Sequence, residues 1–150
     1  MLPPFTPLDP DFDARVRASF DKQAVMSTIG ARLTRVAPGE VTIELPFRRD
    51  LTQQHGFLHA GIVATIVDSA CGYAALTLMP HDAAVLTAEY KVNLLAPASG
   101  DVFVARASVL KSGKTLTVAR GDAFAVGADE KIVATMLATI MTVRDRGIRD

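Results

Sequence analysis

The sequence predicts an α+β fold: an antiparallel six-stranded sheet wrapped round one long central helix, with a shorter helix ahead of it. Three observations lead there. The run from Ile62 to Leu78 is built almost wholly of Ala, Val, Ile, Leu, Cys and Gly, and a helix apolar on nearly every side belongs inside protein. On either side of it, apolar and polar residues alternate with the period of strands. The strand-like segments after it follow one another across tight turns, which antiparallel pairs permit and parallel pairs do not.

In chain order, residues 1–10 are proline-rich and read as an extended, mobile leader. From Asp11 to Met26 the apolar residues Phe12, Val16, Phe20 and Ala24 recur every four positions, with Arg15, Arg17, Asp21 and Lys22 between them. That is a helix, with Asp9 or Asp11 as its cap. The period then changes to two. Ala31–Ala37 reads as a short strand, Pro38-Gly39 as a turn, and Glu40–Pro46 as its hairpin partner, with Val41, Ile43 and Leu45 on one face. The long helix begins near His59-Ala60-Gly61 and runs to Leu78, with Pro80 beyond it as the stop. Val85–Leu95, Asp101–Leu110, Thr115–Val126 and Lys131–Val143 complete the strands, the first with Leu86, Ala88, Tyr90, Val92 and Leu94 on one face and Thr87, Glu89, Lys91 and Asn93 on the other. Residues 144–150 form a charged tail expected to fray.

The 150 residues suit a single domain spanning 1–150, and 49% hydrophobic residues are enough for a core. Sixteen basic and sixteen acidic side chains cancel, so no basic footprint for nucleic acid is expected. The single Cys71 excludes an intrachain disulfide, and with three histidines it makes no zinc set. The N-terminus lacks the basic and apolar regions of a signal peptide. The apolar run is too interrupted by Thr65, Asp68, Ser69 and Thr77 for a membrane span. A cytoplasmic protein without a membrane partner is the expectation.

Chemistry concentrates at the start of the long helix. A polar loop, Leu51-Thr-Gln-Gln-His-Gly-Phe-Leu-His-Ala-Gly61, feeds a run interrupted by one charge, Asp68. Gly61, Thr65, Asp68 and Gly72 fall at three- and four-residue spacings and share a face. A lone carboxylate in apolar surroundings is costly to desolvate, so it needs a partner or a purpose. Unpaired N–H groups at a helix N-terminus suit a developing oxyanion.

These residues carry a resemblance. Gln53-x-x-Gly56-x-x-His59-Ala60-Gly61, with Asp68 seven positions beyond Gly61, resembles the signature of the hotdog-fold acyl-CoA thioesterases of the phenylacetate-pathway, PaaI-like type. Thr87 to Pro97 and Val109 to Leu116 resemble that family's following strand and hairpin. The resemblance covers roughly residues 30 to 143. It implies protomers pairing sheet edge to sheet edge, with two active sites at each dimer interface, commonly within a tetramer. It implies hydrolysis of acyl-CoA without metal or organic cofactor. Carried over by position, Asp68 is nucleophile or general base, and the amides at Ala60 and Gly61 receive the thioester oxygen. His59 and Gln53 orient substrate or water, and Asp68 and Thr87 arrive from the other protomer. Two departures stand out: the family usually has Asn where Gln53 stands and Gly where Ala60 stands. An Ala still offers its N–H.

Other features weigh less. Ser112-Gly113-Lys114-Thr115 resembles part of a P-loop, but Ser108 stands where the first Gly is needed and a strand follows. Gly56 and the turn residues Lys111, Gly113 and Lys114 are instead assigned to substrate binding, the lysines as point charges for coenzyme A phosphates. Cys71 reads as a buried inert thiol, and His55 as structural. A hydroxyacyl-thioester dehydratase and an acyl-CoA-binding protein without turnover remain as alternatives. The chain lacks the His-Phe-Pro-Gly loop usual in the former.

Overall fold

The computed structural model describes residues 5–150. Three helices, α1 (Phe12–Lys22), α2 (Ala24–Ile29) and α3 (Ala60–Leu76), accompany six strands: β1 (Arg32–Ala37), β2 (Glu40–Pro46), β3 (Ala84–Leu94), β4 (Val102–Ser112), β5 (Leu116–Val126) and β6 (Glu130–Val143). The strands make one antiparallel sheet in the order β1-β2-β4-β5-β6-β3, so β1 and β3 are its edges. α3 packs against β2, β3, β4, β5 and β6. This is the helix-in-sheet arrangement that the sequence predicts.

The contact between helix and sheet explains why α3 is apolar almost all round. Val63, Ile66, Val67, Ala70, Cys71 and Ala74 are buried against Ile43, Leu45, Phe103, Ala105, Ala119 and Ala138 of the strands. Small residues let the helix settle close. At Gly121 of β5 a Cβ would lie 2.6 Å from Val67 Cγ1 and 2.8 Å from Cys71 Sγ, so only glycine fits there. The stripe of α3 that escapes burial holds Gly61, Thr65, Asp68 and Ser69.

Four details differ from the sequence reading. The single helix over 11–26 is two, because the chain breaks at Gln23, which takes an extended conformation (φ −78°, ψ 95°) before α2 begins. Gln carries no local breaker signal, so the break comes from packing. The leader lies partly outside the described residues. Within them, Phe5 packs against the core and Asp9 is buried. Asp9 accepts the N–H of Asp11 at 2.9 Å, and pairs with Arg15 at 3.4 Å. The tail, expected to fray, has no regular secondary structure but is tied twice. Arg144 pairs with Asp82 at 2.9 Å, and the Asp150 carboxylate accepts the Ser19 hydroxyl at 2.9 Å and the Val85 N–H at 2.6 Å.

The fourth difference positions a candidate site residue. Strict alternation would put Thr87 and Tyr90 on opposite faces of β3. In the sheet Leu86 opposes Met141, Thr87 opposes Ile140, Glu89 opposes Thr139 and Tyr90 opposes Ala138, so Ala88 is an extra, bulged residue. Opposed residues share a face, and Ile140 and Ala138 are fully buried beneath α3. Thr87 and Tyr90 therefore both face the helix side, while Leu86 joins exposed Met141 outside. Bulges of this kind re-aim side chains next to active sites.

Arg15 closes the other end of the central helix. Its guanidinium donates to the carbonyls of Leu76 (2.8 Å), Met79 (2.9 Å) and Pro80 (2.5 Å). Leu76 is the last residue of α3, where carbonyls lack intrahelical donors, and Met79 and Pro80 belong to the turn that follows; a cation there also suits the helix dipole.

Candidate active site

The loop before α3 is held by its own side chains. Gln53 Oε1 accepts the N–H of His55 at 2.5 Å and of Phe57 at 3.4 Å, and the Gln53 N–H donates to the Phe57 carbonyl at 2.9 Å. Gly56 makes the turn at φ 86°. With its carbonyl engaged in this way, Gln53 has its NH2 group left for a ligand.

His59 is the N-cap of α3. Its Nδ1 accepts the Gly61 N–H at 2.8 Å, which leaves the other ring nitrogen, Nε2, to carry the proton. The Gly61 amide, one of the two expected oxyanion donors, is thus taken. Among the described residues nothing accepts from the Ala60 N–H. Ala60 lines a cleft of about 520 Å³ with Gln53, Phe57, Val63, Leu94, Leu95 and Pro97. Low-dielectric walls strengthen whatever the amide binds.

Asp68 lies two turns further along α3, half-buried. Thr87 Oγ1 donates to Asp68 Oδ1 at 2.7 Å. Burial raises the Asp68 carboxyl above the ordinary aspartate value, and the Thr87 hydrogen bond draws it part of the way back. These two residues border a second pocket, of about 280 Å³, with Gln23, Gly72, Tyr73 and Asp150. Cys71, on the buried side of the same helix, is pushed up to about 12, chiefly by desolvation and then by the nearby Asp68 and Asp122 carboxylates, and so is no nucleophile.

Within one chain the predicted site residues therefore form separate groups. Gln53, His59 and Ala60 gather at the helix start, and Asp68 meets Thr87. Eight residues of helix, about 12 Å of rise, separate Ala60 from Asp68, too far for both to touch one thioester. Gly113 and Lys114 line a third cleft, of about 590 Å³, at the far end of the sheet with Arg144 and Arg146. Lys111 is exposed on the strand leading into that turn. Gln23, Arg144, Arg146 and Asp150 had no local signal in the sequence, because only the tertiary fold brings them to these pockets. No cluster of three or more His, Cys, Asp or Glu side chains able to hold a metal occurs among the described residues, and none of their helices is long and apolar enough to cross a membrane.

Comparison with known proteins agrees with this architecture. The pattern of the Thioesterase superfamily matches residues 55–131. A crystal structure of a thioesterase family protein from Silicibacter pomeroyi is 54% identical, covering 89% of this chain and 98% of that one with a TM-score of 0.88. Acyl-coenzyme A thioesterase 13 of Homo sapiens is 35% identical over 85 residues, which are 56% of this chain and 60% of that protein. The PaaI protein of the E. coli phenylacetic acid degradation operon shares the fold at 19% identity, with a TM-score of 0.80 over 89% of this chain and 94% of that one. The chain belongs to the thioesterase superfamily and is a thioester hydrolase with the hotdog fold that PaaI also has.

Proposed function

We propose that the protein hydrolyses acyl-CoA thioesters to the free acid and coenzyme A, at sites built across a dimer interface. The observation that carries this reading is the division of labour along α3. One helix presents a free amide at Ala60 and a carboxylate at Asp68, each beside its own cleft and too far apart to serve one substrate. A second protomer, turned about a two-fold axis, would bring Asp68 and Thr87 opposite Ala60.

The unpaired edge of β3 supports that arrangement. It is 11 residues long and carries exposed Leu86, Tyr90 and Leu94, and proteins rarely leave such an edge uncovered. The opposite edge, β1, is short, bulged and rich in Arg and Thr. Pairing β3 with a second β3, antiparallel, sets the start of one strand against the end of the other. The sheet end that bears Lys111, Gly113 and Lys114 then comes beside the partner's Ala60 cleft. Those lysines would meet the coenzyme A phosphates there. Leu86, Met141 and Leu116 form one exposed cross-strand row on the outer face, which would suit association of dimers into a tetramer. A coenzyme A substrate, made and used inside cells, suits a cytoplasmic location.

The chemistry follows from the groups. The Ala60 N–H would hold the thioester oxygen and stabilise the charge that develops on it. Asp68, ionised, would take a proton from an attacking water or attack the carbonyl carbon itself. In either route the C–S bond breaks, sulfur leaves as coenzyme A thiolate, and the acyl carbon gains a water oxygen. His59 fixes the helix start, Gln53 and Gly56 shape the wall that the thioester arm passes, and Thr87 positions the Asp68 carboxylate. The test is thiol release from a panel of acyl-CoAs. Asp68→Ala is expected to lose about 10³-fold in kcat or more. Undiminished release by that variant would sink the assignment.

A further inference from the structure

The pocket beside Asp68 has more structure than a catalytic carboxylate requires. It lies between α3 and the start of β3, with Asp68, Thr87, Gln23 and Asp150 among its lining residues. Gly72 lies in its middle, one helical turn past Asp68 and on the side away from Ala60. A glycine inside a helix costs about 1 kcal/mol relative to alanine. Gly121 has a packing reason for being glycine. Gly72 has none: a Cβ there would meet no atom within 4 Å. The missing side chain leaves room.

The far wall is assembled from distant parts of the chain. Gln23 stands in the break between α1 and α2, and its Oε1 accepts the Ser69 hydroxyl at 3.0 Å. The Asp150 carboxylate is held by the Ser19 hydroxyl at 2.9 Å and the Val85 N–H at 2.6 Å. Tyr73, packed on Phe20 with ring centroids 6.0 Å apart, sits beneath them.

We propose that this pocket is the acyl seat, with Gly72 providing its room and Gln23 and Asp150 closing it, so that the enzyme takes compact acyl groups and refuses long fatty ones. The assignment rests on the thioesterase reading of Asp68. The thioester arm occupies the apolar cleft at Ala60, and the acyl substituent continues past the carboxylate over Gly72. At about 280 Å³ the seat is at the bottom of the usual range for small-molecule pockets. A longer alkyl chain would press on a carboxylate and a carboxamide and strip their solvation without repaying it. A second protomer can add walls but does not open the end that this chain closes itself.

The experiment is kcat/KM for thiol release along a straight-chain series from acetyl-CoA to dodecanoyl-CoA, with Gly72→Leu, Gly72→Ala and Asp150→Ala beside the unaltered protein. The unaltered enzyme is expected to favour butanoyl over dodecanoyl by about tenfold or more, since single methylenes carry that scale of discrimination. Gly72→Leu should lower hexanoyl relative to acetyl about tenfold, and Gly72→Ala should move the ratio the same way by less. Asp150→Ala should raise octanoyl relative to butanoyl by about tenfold. Chain-length ratios unmoved by all three variants, with thiol release intact, would overturn the acyl seat and leave the thioesterase reading standing. Loss of the dimer by Gly72→Ala in sedimentation would do the same, because a partner's backbone would then fill the room. Thiol release from no member of the series would overturn both.

Discussion

Thr87 reaches Asp68 because of Ala88. The hydrogen bond from Thr87 Oγ1 to Asp68 Oδ1, 2.7 Å long, needs Thr87 on the helix side of the sheet, and the extra residue at Ala88 turns it there. Without the bulge the hydroxyl would share a face with Glu89 and Lys91.

The bond sets a pH dependence. The Thr87 hydroxyl stabilises the charged form of Asp68, against the larger effect of burial. Thr87→Val removes that stabilisation, so the carboxyl rises further and stays protonated to higher pH. The acid limb of kcat/KM should move to more alkaline pH in Thr87→Val, while the plateau above it falls less than for Asp68→Ala. A pH–rate profile checks the sign. An acid limb that stays put or moves down would remove Thr87 from the site.

Asp68 should cost the fold stability at neutral pH. Its folded-state carboxyl lies above the ordinary aspartate value of 3.8. A raised acid binds its proton more tightly folded than unfolded, so the stabilising contribution is complete below the unfolded value and is lost as pH rises through the folded one. Asp68→Asn, uncharged and of the same shape, is therefore expected to melt a few degrees higher at pH 7 and to lose that advantage in acid. Thermal melts at the two pH values test this. Such a gain is the familiar counterpart of a destabilised functional group.

The proposed two-chain site can be examined with variants that each spoil one half. Ala60→Pro deletes the free amide at the first helical position, where proline is tolerated, and His59 already has the extended backbone (φ −61°, ψ 136°) that precedes proline. Alone it should lose about 10²- to 10³-fold in kcat, as does removal of an oxyanion donor elsewhere. Mixed with Asp68→Ala and allowed to exchange subunits, it should recover activity, since a heterodimer rebuilds one intact site. Absence of recovery, with exchange shown by mass spectrometry, would place both groups within one chain's site.

Arg15 is expected to be the most sensitive charged residue away from the site. Arg15→Leu leaves the Met79 carbonyl without a donor and Asp9 without its cation, and takes from the Leu76 and Pro80 carbonyls the second donor they have beside the N–H groups of Met79 and Ala83. The expected loss is about 3 kcal/mol, read from the urea midpoint. A change within experimental error would show that water replaces the guanidinium.

How much of this was legible beforehand depends on range. β2 was legible residue for residue as Glu40–Pro46, and α3 to within two residues at its end, because both rest on clean local periods. The bulge at Ala88 was not, since period-two alternation across Leu86 to Leu94 looks unbroken and the frame shift is decided by the pairing with β6. The helix break at Gln23 and the docking of Asp150 were equally hidden, being products of packing between distant segments. At the candidate site, Gln53, His59, Ala60 and Asp68 were visible as a motif, and Thr87 only through its position in the resemblance. That His59 occupies the Gly61 amide and leaves Ala60 as the free donor required geometry.

The Arg15 cap also says something about where the folding unit ends. The superfamily pattern covers residues 55–131 and stops just inside β6. It contains α3 but not the side chain that finishes it, nor β1 and β2 that extend the sheet over it, nor the rest of the strand against which β3 lies. A fragment cut to the shared pattern would keep Ala60 and Asp68 and lose the means of holding the helix that carries them. What relatives share in sequence is here a smaller object than what must fold together.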